Sequence, residues 1–175
     1  AAGFSASDLL AAGLTASQLK AAGFSASELS AAGVSARALL AAGFDAAELK
    51  DAGFTAQDLL SAGLDPKALL SAGYSVGDLK DAGLSASQLL KAGVSPLELM
   101  AGGFSEQALS AAGVSADQIA AAKAALKAMG GKCSIEFARE ARQSGKSAKE
   151  MKDLGCPAAI LRAAGYTAGE LKDAG

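Results

Sequence analysis

The chain has no histidine and no tryptophan, and its 175 residues include only two cysteines, three prolines, two tyrosines and six phenylalanines. Without imidazole it lacks the side chain that most often shuttles protons or binds metals near neutral pH. Two cysteines without metal-ligand spacing do not make a zinc site. These gaps exclude most familiar enzyme chemistries, so a non-enzymatic protein with no cofactor, metal or small-molecule substrate is expected. Charge of one sign is also lacking. Sixteen Lys and Arg stand against eighteen Asp and Glu, a balance that excludes a disordered polyelectrolyte and a strongly basic nucleic-acid binder. Long apolar runs are missing too, because Gly, Ser and Asp interrupt every one, so no membrane span or signal peptide is expected.

What fills the sequence instead is small residues in strict order. From Ala1 to Ala120 it is twelve copies of a decapeptide, A-A-G-(F/L/V/Y)-(S/T/D)-A-x-(D/E/Q/A)-L-x, without an insertion. Glycine recurs at 3, 13, 23 and on to 113. Leucine recurs at 9, 19, 29 and on to Leu109, followed by Ile119. The fourth position is always apolar, from Phe4, Leu14 and Phe24 to Phe104 and Val114.

Two folds fit this period. Split into pentapeptides, AGFSA and SDLLA, the chain resembles the pentapeptide-repeat family, which implies a right-handed quadrilateral β-helix with small and apolar residues pointing inward. The second pentapeptide puts Arg37, Gln57, Lys67, Leu97, Gln107 and Asp117 at the inward small-residue site, where a narrow interior would bury polar groups without partners. The other fold is a short helix per decapeptide, and it accounts for each position. Ser5, Thr15, Ser25, Ser35, Asp45, Thr55 and their successors are N-cap formers. Asp8, Gln18, Glu28, Glu48 and Asp58, three residues on, complete capping boxes. The apolar fourth residue and the leucine hold the N′ and N4 places of a hydrophobic staple. Gly13 and its equivalents take C′, and Pro66 and Pro96 take N1, the helical place that suits proline. The expected fold is therefore all-α, a solenoid of capped helices of about seven residues, too short to persist singly in water.

A slower rhythm runs through the tenth position. Leu10, Leu40, Leu70 and Met100 form one class, Lys20, Lys50 and Lys80 a second, and Ser30, Leu60 and Leu90 a third. This thirty-residue period predicts three helices per superhelical turn; duplication of a thirty-residue unit would leave the same trace.

The pattern breaks after Ser115. Residues 116–146 read as a longer helix pair: one helix from Ala116 to Met129 closed by Gly130-Gly131, and another capped by Ser134 that ends near Gly145. The decapeptide returns over 147–175. Three segments are thus expected: a solenoid at 1–115, a helical elbow or spacer at 116–146, and a second short repeat stretch at 147–175. Charge divides similarly: residues 1–120 carry 6 basic and 12 acidic side chains, and 121–175 carry 10 and 6. End-to-end contact between copies, one basic partner surface, or unevenly charged solvated faces all accommodate this.

Few residues invite a chemical role. Cys133 and Cys156 read either as buried small apolar residues or as a disulfide bracing the elbow. Gly131-Lys132-Cys133 and Gly145-Lys146-Ser147 have the ending of a phosphate-binding loop, but Leu126 and Glu140 stand where its first glycine would be and no strand precedes them, so both read as helix termini. Tyr74, Val76 and Leu97 depart from small or polar neighbours in the repeat and mark either an apolar patch for a protein partner or a local change in packing.

The units AGFSASELS, AGFTAQDLL and AGYTAGELKDAG resemble the AGFSA-x-x-L-K repeats of a core-complex subunit of the Dot/Icm type IV secretion system, over residues 1–120 and 147–175. The resemblance implies a structural repeat segment within a larger assembly and carries over no catalytic residue. The function expected is a scaffold, a rigid spacer or linking subunit whose partners are proteins or other copies. The alternative is a protein-binding module that uses positions 7 and 10 of each repeat. The chain begins and ends inside a repeat, which reads as a piece of a longer array.

Overall fold

The structure is a computed structural model, and it describes residues 3–129 and 133–174. It is helical throughout those residues, without a strand among them, so the helical reading of the decapeptide holds and the β-helix does not form. The chain divides into two compact units, Ala1–Asp65 and Pro66–Gly175.

The first unit holds α1 (Ala6–Ala11), α2 (Ala16–Ala21), α3 (Ala26–Ala31), α4 (Ala36–Ala41), α5 (Ala46–Asp51) and α6 (Ala56–Ala62). The start and stop of each helix are written locally. At α1, Asp8 N–H donates to Ser5 Oγ at 3.2 Å, and Ser5 N–H donates back to Asp8 Oδ2 at 3.1 Å. This reciprocal box satisfies two of the amides that a helix start leaves unpaired. At the other end Gly13 N–H donates to Leu10 O and Leu14 N–H to Leu9 O, both at 3.0 Å. That is the paired closure of a Schellman motif, and it requires the left-handed conformation that Gly13 adopts at φ 93°. The same glycine conformation recurs ten residues apart from Gly13 to Gly113.

Six-residue helices depend on their neighbours. In the first unit α1 packs on α3, α2 on α4, α3 on α5 and α4 on α6, besides the contacts α1 to α2, α3 to α4 and α4 to α5. The seam is the ninth residue: Leu19, Leu29, Leu39, Leu49 and Leu59 are fully buried. Alanines line it at the sixth position, where Ala6, Ala26, Ala36 and Ala56 are buried and small enough for backbones to approach. The stacking interval is thus two decapeptides, which corrects the three helices per turn expected from the tenth position. The side chains at that position show why. Lys20 Nζ donates to Gly43 O at 2.5 Å and Arg37 Nη2, from the seventh position, to Ser61 O at 3.3 Å. Lys20 reaches the turn after α4 and Arg37 the last turn of α6, each two repeats onward. Leu10, Lys20, Ser30, Leu40, Lys50 and Leu60 are all half-buried whatever their class, so in the first unit the thirty-residue rhythm has no counterpart in burial.

The second unit continues with α7 (Pro66–Ser71), α8 (Val76–Asp81), α9 (Ala86–Lys91), α10 (Pro96–Ala101) and α11 (Glu106–Ala111). Here too α8 packs on α10 and α9 on α11, and Lys80 Nζ donates to Gly103 O at 2.6 Å. The longer pair follows as α12 (Ala116–Met129) and α13 (Ile135–Gln143). The Gly130-Gly131 stop after α12 lies outside the described residues. The decapeptide resumes in α14 (Ala148–Asp153), α15 (Ala158–Ala163) and α16 (Ala168–Asp173). This second stretch turns back: α12 packs on α10, α13 packs on α15, and α15 packs on both α10 and α8. The longer pair thus leads into a stretch that packs back on α8 and α10. Behind it Cys133, Ala138, Ala141, Ala148, Met151, Cys156, Ile160, Leu161, Ala164 and Tyr166 make one buried cluster.

Candidate functional surface

The polar side chains of the repeat are those a catalytic site would need, and most are occupied by capping. In Ser25 and Glu28, Thr55 and Asp58, Ser95 and Glu98, and Ser147 and Glu150, the hydroxyl accepts from the third helical amide while the carboxylate accepts from the cap amide and from the hydroxyl itself. These bonds favour the ionised acid. The Asp8 carboxyl is held below its usual range by the Ser5 hydroxyl and then the Ser5 amide, and the Glu28 carboxyl by the Ser25 amide and then the hydroxyl. Asp58 is held down by Thr55 and Glu150 by Ser147 in the same way. A proton-transfer group needs a value near the working pH, and these carboxyls are displaced away from it. Among the described residues no three of His, Cys, Asp and Glu gather to hold a metal, and no helix is long and apolar enough to cross a membrane.

The residues that depart from the repeat gather where the second stretch returns. Tyr74 is 4% exposed and Val76 1% exposed, and Leu97 is half-buried. Of the two readings of these residues, a change in local packing suits Tyr74 and Val76, which present no free surface; residues 73–76 are all buried. Val76 replaces the usual alanine of the sixth position, and Gly102 replaces the usual alanine of the second. A Cβ on Gly102 would lie 2.5 Å from Val76 Cγ1, so the two departures compensate. Gly73 and Gly165 approach backbone to backbone; a Cβ on Gly165 would meet Gly73 O at 2.8 Å. Gly77 makes room for Arg139, whose Nη2 would stand 2.9 Å from a Cβ there. The paired replacements of alanine at 76 and 102 were the sequence signal for this packing.

Charge locks the same region. Glu98 is 5% exposed. Its Oε2 accepts from the Ser95 amide at 2.8 Å and the Ser95 hydroxyl at 2.7 Å, while its Oε1 faces Arg162 Nε at 3.4 Å. One capping acid thereby joins α10 to α15. Arg142 lies 3.9 Å from Glu170 and over the Tyr166 ring at 5.6 Å. Tyr166 is buried, which pushes its hydroxyl above the usual value, and it donates to Lys146 O at 2.9 Å. Cys133 and Cys156 form a disulfide with Cα atoms 5.3 Å apart, joining the residue before the α13 cap to the residue before the α15 cap.

Exposed side chains line the surface at the seventh position. In the first unit Ser7, Ser17, Ser27, Arg37, Ala47 and Gln57 are all exposed. The arrangement defines an α-helical repeat protein whose structural unit is the decapeptide, with its variable residues facing solvent. The chain belongs to the decapeptide repeat region family, which matches residues 3–76 and 67–132. Comparison with curated proteins and with solved structures finds no match.

Proposed function

We propose that the protein is a non-enzymatic scaffold, a rigid spacer or linking element of a larger assembly whose partners are proteins or other copies of the chain. The observation that carries this reading is the use of the polar side chains. Repeat after repeat, the hydroxyl and the acid are bonded to each other and to the helix start, leaving the array defined in shape and poor in reactive groups. Solenoids built this way derive stability from neighbour contacts and offer long surfaces. The resemblance to repeats of a secretion-complex subunit points the same way.

In the first unit the binding-module reading narrows to the seventh position, which is exposed where the tenth is half-buried. Substitution of Ser17, Ser27 and Gln57 by glutamate, with co-purification of partners from cells as the readout, separates the two. A scaffold that uses its ends and its helix packing keeps its partners and its folding. A module that reads through its exposed face loses partners with folding unchanged. Loss of folding on these exposed substitutions would overturn both readings.

A further inference from the structure

The disulfide sits in the one part of the chain that departs most from the repeat. α15 is the helix that seats the returning stretch: Arg162 meets Glu98, and the Gly165 turn lies against Gly73. Yet the cap residue of α15 is Pro157, which makes no side-chain cap hydrogen bond, unlike Ser147 before α14 and Thr167 before α16. What fixes the start of α15 is its neighbour Cys156, bonded to Cys133 at the start of α13. α13 in turn carries Arg139 and Arg142, whose guanidinium groups lie against Gly77, Gly73 and Gly165. The disulfide thus ties together the two helices that grip α8 and α10, and it lies within the cluster that backs them.

We propose that the Cys133–Cys156 disulfide is a redox clasp that sets whether α13–α16 stay closed on α8 and α10. A dithiol reductant breaks the S–S bond by transferring two electrons and two protons, giving two cysteine thiols and the cyclic disulfide of the reductant. Both sulfur-bearing residues are 3% exposed, so attack proceeds from the opened bracket, and reduction removes the link that favours reclosure. The cysteines are 23 residues apart; the entropy of closing a loop of that size raises the opened population on the order of a hundredfold when the bond is gone. The rest of the array keeps its caps and its two-repeat stacking, which do not involve sulfur.

Hydrogen exchange on the full chain, oxidised and then reduced with dithiothreitol, tests this. Amides of α13–α16 are expected to exchange on the order of a hundredfold faster after reduction, those of α1–α6 to be unchanged, and reoxidation to restore protection. The Cys133→Ala, Cys156→Ala double variant, which keeps both sites apolar, is expected to match the reduced chain. Unchanged exchange in α13–α16 after complete reduction would overturn the proposal. So would equal loss of protection in α7–α12, which would make the bond a general staple of the second unit.

Discussion

Val76 Cγ1 stands 2.5 Å from where a Cβ on Gly102 would begin, so the valine side chain occupies the space an alanine at 102 would need. The backbone at Gly102 has φ −76°, which any residue adopts. Glycine is required there by contact alone. Gly102→Ala is expected to destabilise the second unit by about 1–3 kcal/mol through overpacking. Adding Val76→Ala, which restores the repeat's own pair, is expected to recover most of the loss. Chemical denaturation of the two single variants and the double variant gives the coupling; strictly additive losses would mean the contact is not the cause.

Two other glycines separate conformation from contact. Gly33 has φ +87° with nothing within 4 Å of a Cβ built on it, so Gly33→Ala meets only the left-handed backbone cost, about 1–2 kcal/mol. Gly165 has φ +98° and Gly73 O at 2.8 Å from its Cβ position. Gly165→Ala is expected to lose about 1–3 kcal/mol more. Equal losses in thermal denaturation would remove the close approach as an explanation.

Arg162→Ala leaves the buried Glu98 carboxylate without its facing cation. A loss of about 1–3 kcal/mol is expected, measured by urea titration. Lys172→Ala, at an exposed position of α16, serves as the comparison and is expected to stay within about 0.5 kcal/mol. If the two variants unfold alike, the Glu98–Arg162 pair does not hold α15 in place.

The capping acids make stability depend on pH. Asp8, Glu28, Asp58 and Glu150 have folded values below the usual 3.8 for Asp and 4.5 for Glu. The unfolded chain therefore binds protons first as pH falls. Their contribution is complete above those usual values and is lost as pH drops through the lowered ones. Glu28→Gln keeps an acceptor, as Gln18 does in its own box, and removes one titrating group. The variant is expected to lose less stability than the parent between neutral pH and acid, followed by far-UV circular dichroism; an unchanged acid slope would refute this.

The local part of the fold was legible because each decision is made within one decapeptide. Ser25 caps, Glu28 answers, Leu29 is buried and Gly33 stops, all within nine residues. The stacking interval was not legible, since Leu40 and Lys50 at the tenth position are half-buried alike and their alternation says nothing about which helix lies beside them. The return of α15 onto α8 joins residues more than ninety apart, as with Gly73 and Gly165, and no local pattern encodes such a contact. Tyr74 and Val76 were visible as exceptions, but bulky apolar residues signal an outside partner and an inside one equally. The Cys133–Cys156 bond stood as one of two readings because spacing alone does not separate buried thiols from a bridge.

Most decapeptides close their main-chain hydrogen bonds locally, through the capping box at one end and the glycine turn at the other. An in-register gain or loss of whole repeats therefore leaves no torn ladder, only one more or one fewer layer. Such a gene can lengthen or shorten by unequal recombination and still encode a folded product. The thirty-residue rhythm of the tenth position, which burial in the first unit does not follow, then reads as the imprint of that history: copying in blocks of three.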